Sequence, residues 1–118
     1  MDAQEFIDAL KLVVVNVTVD GINSTLDRPP GRKPAKELTE LSDWYHGLEI
    51  KDKHMIRQVI KEATEMAVFG FLCVLDGVTA IEDTEDKGKL LLHFKKNGNS
   101  ILINDPDKEY LHDIFNAV

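Results

Sequence analysis

Four histidines, one cysteine and a set of closely spaced carboxylates are the groups in this chain that could do chemistry. His46, His54, His93 and His112 fall on four different predicted elements, and none has the short H-x-x-x-H or C-x-x-C spacing of a zinc site. His112 and Asp113 are adjacent, which on a helix points them about 100° apart. Glu62 and Glu65 have the spacing seen in di-iron bundles, but those sites need Glu-x-x-His pairs. Here lysines surround the pair, and Lys61 with Glu65 reads as a surface ion pair. Asp83-Thr84-Glu85-Asp86-Lys87-Gly88 opens like a calcium loop with its glycine at position six. Lys87 then stands where an oxygen ligand is required, and Phe94 stands where a bidentate glutamate belongs. The segment reads as a solvated acidic turn. Cys73 lies in a charge-free stretch with no histidine near it in sequence, so it is expected to be an inert buried thiol. Neither a G-x-S-x-G elbow nor a phosphate-binding glycine pattern after a strand is present. The residues therefore imply no catalytic group, no cofactor and no metal.

Two features remain that could carry function. Asp27 to Lys36, DRPPGRKPAK, is a stiff proline loop and the one clearly basic spot. Arg28, Arg32 and Lys33 there could bind an anion or an acidic patch on a partner, because guanidinium forks match carboxylate and phosphate. The plainer reading is a solvated connector whose charges offset the acidic helices on either side. The second feature is Asp76, which follows a long uncharged run at the junction of helix and sheet. It could contact a ligand or partner, or simply hydrogen-bond the turn that launches the next strand.

Positioning these groups falls to one central stretch, Lys51 to Asp76. Its first half shows the i, i+3, i+4 rhythm of an amphipathic helix, with Met55, Ile56, Val59, Ile60 and Ala63 between charges. From Met66 to Leu75 no charge appears, which predicts a helix enclosed on every side. Ala63, Ala67, Gly70 and Cys73 form a narrow stripe of small residues against which the N-terminal helix is expected to pack. Asp76-Gly77 ends the helix, with Gly77 free for the left-handed terminal turn.

Upstream, Asp2 to Leu26 is read as a helix with Asp2 as N-cap. One stripe runs Phe6, Leu10, Val13, Val17 and a second Leu12, Val15, Val19, Ile22, Leu26, with Asn16, Asp20, Asn23 and Asp27 between them. The β-branched run Val13 to Val19 keeps a strand ending at Val19-Asp20-Gly21 as the alternative. Ala35 to Leu48 reads as a short helix with Leu38, Leu41, Tyr45 and Leu48 on one face, Pro34 opening it and a tight connection to the central helix. After Gly77 the apolar period shortens to two. Asn97-Gly98 predicts a hairpin that pairs Lys96 with Asn99, Phe94 with Ile101 and Leu92 with Ile103. Val78 to Asp83 is a candidate third strand of a small meander. A last helix is expected from Asp105 as N-cap and Pro106, with Leu111, Ile114, Phe115 and Val118 as its apolar face.

The chain has 118 residues, 43% of them apolar, and a formal charge of −7. This fits one α+β domain over residues 1–118: three N-terminal helices with the third long and central, a small antiparallel meander or hairpin whose Leu90, Leu92, Phe94, Ile101 and Ile103 pack on helices, and a short C-terminal helix. The negative charge argues against nucleic acid, which needs a basic face. The acidic start and the absence of a membrane-length apolar run imply a cytoplasmic protein that does not enter a membrane.

Arg28-Pro29-Pro30-Gly31-Arg32, Leu41-Ser42-Asp43-Trp44-Tyr45, Phe69 to Val78 (FGFLCVLDGV) and Leu111 to Asn116 (LHDIFN) together resemble a family of small uncharacterised bacterial proteins. The resemblance implies a bacterial, intracellular setting and brings no activity or site residue. The expectation is a non-enzymatic protein-binding module, by analogy with immunity proteins that present acidic surfaces to basic toxins. An anion or small-molecule binder using the Arg28–Lys33 loop and a structural homodimer are the alternatives.

Overall fold

The computed structural model describes residues 1–117. The fold is α+β. Helix α1 (Ala3–Leu10) runs through a π-helical stretch (Lys11–Asn16) into α2 (Val17–Asp27); α3 (Lys36–His46) and the long α4 (Ile50–Leu75) follow. Strands β1 (His93–Lys96) and β2 (Asn99–Leu102) form a two-stranded antiparallel hairpin, and α5 (Leu111–Asn116) closes the described chain. Two compact units are present, Met1–Leu12 with Met66–Val118, and Val13–Glu65.

The N-terminal segment is helical as the spacing predicts, and the strand alternative is not adopted. Asp2 caps it, accepting the Glu5 amide at 2.8 Å. The two stripes do not survive intact. A π turn absorbs an extra residue, so a constant period cannot be carried across Lys11–Asn16. Ile7, Val15, Val19 and Leu26 are buried, while Val13 and Val17 are 60% and 61% exposed.

In the Val13–Glu65 unit, α2 packs on α3. The start of α4 is tied in by Arg57, which donates to Asp20 Oδ1 at 2.8 Å, and by Lys53, whose ammonium lies 5.1 Å from the centre of the Tyr45 ring. Trp44 and Leu41 face solvent. In the other unit α1 packs on α5, with Ile7, Leu72 and Leu111 the most deeply buried side chains.

The hairpin register is the predicted one, with Lys96 opposite Asn99 and Phe94 opposite Ile101. It extends one step further through the Ile103 amide, which donates to the Leu92 carbonyl at 2.8 Å. Asn97 and Gly98 both take positive φ, 52° and 78°, as a tight primed turn requires. Gly77, at φ 77°, ends α4 in a left-handed turn in which the Val78 amide reaches the Cys73 carbonyl.

Several expectations are corrected. The charge-free run of α4 is not enclosed: Leu72 and Cys73 are buried, but Met66 is 70% and Phe71 60% exposed. Lack of charge removes a desolvation penalty without obliging a neighbour to cover each face. Ala63, Ala67 and Gly70, three of the four residues of the expected small-residue stripe, are likewise exposed. Val78–Asp83 forms no strand; it belongs to an irregular segment closed by Glu82, whose Oε1 accepts the Gly88 amide. Of the predicted sheet face only Ile103 is buried, Leu92 and Phe94 being half-buried and Leu90 and Ile101 exposed. The last helix begins at Leu111 and not after Asp105, which instead closes a local turn, its Oδ1 accepting the Asp107 amide at 2.9 Å and its carbonyl the Lys108 amide at 3.1 Å. Val118, expected on that helix's apolar face, lies outside the described residues.

Candidate functional site

A grouping of titratable side chains lies where α4 ends and α5 begins. Gly77 turns the chain sharply, leaving Asp76 at the C-terminal end of α4 with its side chain 1% exposed. Its Oδ1 accepts the Leu111 amide at 3.1 Å, and Oδ2 accepts the His112 amide at 2.8 Å and His112 Nδ1 at 2.6 Å. The carboxylate caps α5 from a distant part of the chain, satisfying amides that open a helix and complementing its dipole. Tyr110, the residue preceding α5, offers no side-chain cap of its own.

His112 is fixed on every side. Its Nε2 faces Asp113 Oδ1 at 3.4 Å, Phe69 meets the ring edge-on at 5.7 Å, and Tyr110 stacks over it at 5.4 Å. Cys73 lies one turn before Asp76. Burial pushes its thiol above the ordinary range, and the charges of Asp76 and Asp113 push it further. A thiol held protonated is a poor nucleophile and a poor metal ligand, consistent with an inert buried role. Among the described residues no group of three or more His, Cys, Asp or Glu could hold a metal ion.

Beside this cluster is a cavity of about 350 Å³, walled by the end of α4, residues 79–82 and 87–91 of the irregular segment, Asn104 and Pro106. Asn104 is its organising polar residue and is 8% exposed. Its Oδ1 accepts the Leu92 amide at 2.8 Å, and its Nδ2 donates to the carbonyls of Leu75 and Leu90, each at 2.7 Å. One side chain thus joins the end of α4, the approach to β1 and the exit of β2. All of its polar atoms are engaged within the fold, as are those of Asp76.

The sequence-derived candidates do not converge. Asp76 is buried, with its oxygens turned toward α5. It neither launches a strand nor faces solvent. Arg28, Arg32 and Lys33 lie on the exposed loop between α2 and α3, where Gly31 takes φ 90°. None of the three forms an ion pair among the described residues. Arg28 has an extended backbone and caps α2 through its amide, which donates to the Ser24 carbonyl.

Two residues that spacing left without a role hold this loop's flanks. Ser42 Oγ donates to the Leu26 carbonyl at 2.7 Å, and His46 Nε2 donates to the Asp27 carbonyl at 2.6 Å. Their i, i+4 spacing puts both on one face of α3, where they satisfy the carbonyls that end α2. The sequence carries a serine and a histidine one turn apart after a proline loop, but the spacing is meaningful only once the loop has folded back. Pocketed polar chemistry also occurs between α2 and α4, where Asp20, His54, Arg57 and Lys61 line a shallow depression.

No family model, curated protein or solved structure matches the chain. No described helix is long and apolar enough to cross a membrane.

Proposed function

We propose that this chain is a non-enzymatic protein-binding module of a bacterial cytoplasm, acting in the manner of immunity proteins. The carrying observation is where its unused surface lies. The polar groups best placed for chemistry, Asp76, Asn104 and His112, are spent inside the fold, whereas large apolar side chains stand open: Met55, Val59 and Met66 on α4, Trp44 on α3. Apolar faces of this kind are what partner proteins cover. The chain's charge of −7 and its exposed acidic segment Glu82–Asp86 favour a basic partner, whose approach the field would steer. The test is calorimetric titration of the full chain with the basic products of adjacent genes, in low and in high salt. Binding that weakens with salt and with Asp83, Glu85 and Asp86 changed to lysine supports the reading; no heat with any of those gene products counts against it.

A second reading is favoured by Arg28, Arg32 and Lys33 around the constrained Gly31, none of them ion-paired among the described residues. In it the loop binds a phosphate- or carboxylate-bearing small molecule, with no metal or cofactor. A thermal shift on adding inorganic phosphate or a dicarboxylate, abolished by Arg32→Ala, supports it, and an unmoved transition disposes of it.

A further inference from the structure

The cavity of about 350 Å³ at the end of α4 lies wholly within one compact unit, the one that contains α5. Its walls are mainly apolar, with Val74 and Leu75 from α4 and Ile81, Leu90 and Leu91 from the two limbs of the irregular segment. Ile81, Leu90 and Leu91 are exposed, so the fold leaves apolar surface uncovered around it. The two limbs border the same cavity without pairing. Among the described residues no backbone amide from 80 to 91 reaches a backbone carbonyl, and only the Gly88 amide has a partner, Glu82 Oε1. We propose that this cavity binds a single-chain aliphatic carboxylate of about six to ten carbons. Its tail lies against Val74, Leu75 and Ile81, and its head group lies at Lys89 and Lys87.

Size and polarity both select this occupant. At about 30 Å³ for each water-sized group, the cavity holds roughly a dozen non-hydrogen atoms, too few for a folded partner and enough for a short acyl chain. The acceptors that would draw a cation are already engaged. Asp76 gives both oxygens to α5, Asn104 Oδ1 takes the Leu92 amide and Glu82 Oε1 takes the Gly88 amide. The carbonyls that end α4 are spent too. Those of Leu72, Cys73 and Val74 accept the amides of residues 76–79, and that of Leu75 accepts Asn104 Nδ2. A cation would find these carboxylates and the helix end occupied.

Donors remain. Lys89 forms no ion pair among the described residues. Lys87 uses one of its three N–H groups, on the Thr84 carbonyl at 2.8 Å. The amides of 80–82 and 89–91 have no protein partner among the described residues. An apolar body with a single anionic end matches walls of this kind, because a carboxylate accepts from ammonium and amide alike. The site shares no residue with the Arg28–Lys33 loop and needs no protein partner.

Calorimetric titration of the full chain with octanoate tests this, with octanol and octylammonium alongside and amide shifts read by NMR on the same samples. The expected result is one octanoate per chain, bound at least ten-fold more tightly than octylammonium, with shifts at residues 74–82 and 87–91. Affinity should rise about two- to four-fold per methylene from butanoate upward and level off beyond about ten carbons, where the cavity is full. Changing Lys87→Gln and Lys89→Gln together, both at exposed positions, should weaken octanoate about ten-fold, leaving octanol binding and the circular dichroism spectrum unchanged. No saturable heat with octanoate overturns the proposal. So do equal affinity for octylammonium, indifference to the double variant, and shifts centred on residues 28–33. Affinity that climbs past ten carbons without a fixed stoichiometry marks adsorption to exposed apolar surface and overturns it as well.

Discussion

Asp76 and His112, 36 residues apart in sequence, meet at 2.6 Å and join the end of α4 to the start of α5. The pair explains how a helix as short as α5 persists, since six residues cannot hold themselves helical in water. Replacing Asp76 with alanine leaves two backbone amides and the imidazole without an acceptor in a buried place. We expect a loss of about 3 kcal/mol in urea-induced unfolding. His112→Ala, which leaves the capping bonds in place, should cost about 1–2 kcal/mol. Equal losses from the two would show that the ring, rather than the cap, holds α5.

Asn104 is expected to matter as much as any apolar core residue. Asn104→Ala orphans the Leu92 amide and the carbonyls of Leu75 and Leu90, for about 3 kcal/mol. Asn104→Asp keeps the acceptor for Leu92 but turns an oxygen toward two carbonyls, so it should be no better than alanine at neutral pH. Chemical denaturation of both variants decides it, and an aspartate variant as stable as wild type would contradict the assigned amide orientation.

At the end of α2, Ser42→Ala should cost about 1–2 kcal/mol, because the Leu26 carbonyl it serves is buried from water. His46→Ala, at an exposed position, should cost under about 1 kcal/mol. Since both serve one helix end, their effects are expected to couple in a double-mutant cycle, and strict additivity would mean the contacts act independently.

Gly21 sits inside α2 at a helical φ, with open space where a methyl group would go. Gly21→Ala should therefore raise stability by about 0.5–1 kcal/mol, readable as a higher thermal midpoint. A lower midpoint would point to a contact at that position that only glycine allows.

Cys73 should react slowly with iodoacetamide in the native protein and rapidly once unfolded. The thiol's raised pKa means less thiolate at any given pH than in a free cysteine. Whatever stability this linkage contributes is full below the ordinary thiol range and is lost as pH rises through the raised value. Mass spectrometry of alkylation against pH checks both, and fast native labelling at neutral pH would refute the inert role.

The hairpin shows what local chemistry can specify. Asn97-Gly98 admits positive φ, the alternation around it sets one register, and that register is the one observed. Asp2 as cap and Gly77 as terminator are local in the same sense, each acting within a few residues. The π turn of Lys11–Asn16 lies beyond such reading, because it shifts the helical period without changing the kinds of residue that carry it.

The chain's own sequence determined its four longer helical segments, the cap at Asp2, the terminator at Gly77, the hairpin turn and the absence of short-range metal or nucleophile motifs, since each depends on neighbours within one or two turns. Tertiary structure alone decided which apolar faces are covered, that Asp76 caps α5, that Ser42 and His46 close α2, and that Arg28, Arg32 and Lys33 stand apart from Asp76. Those outcomes turn on which surfaces meet through space. An uncharged face such as Met66–Leu75 is equally compatible with burial in its own chain and with waiting for another.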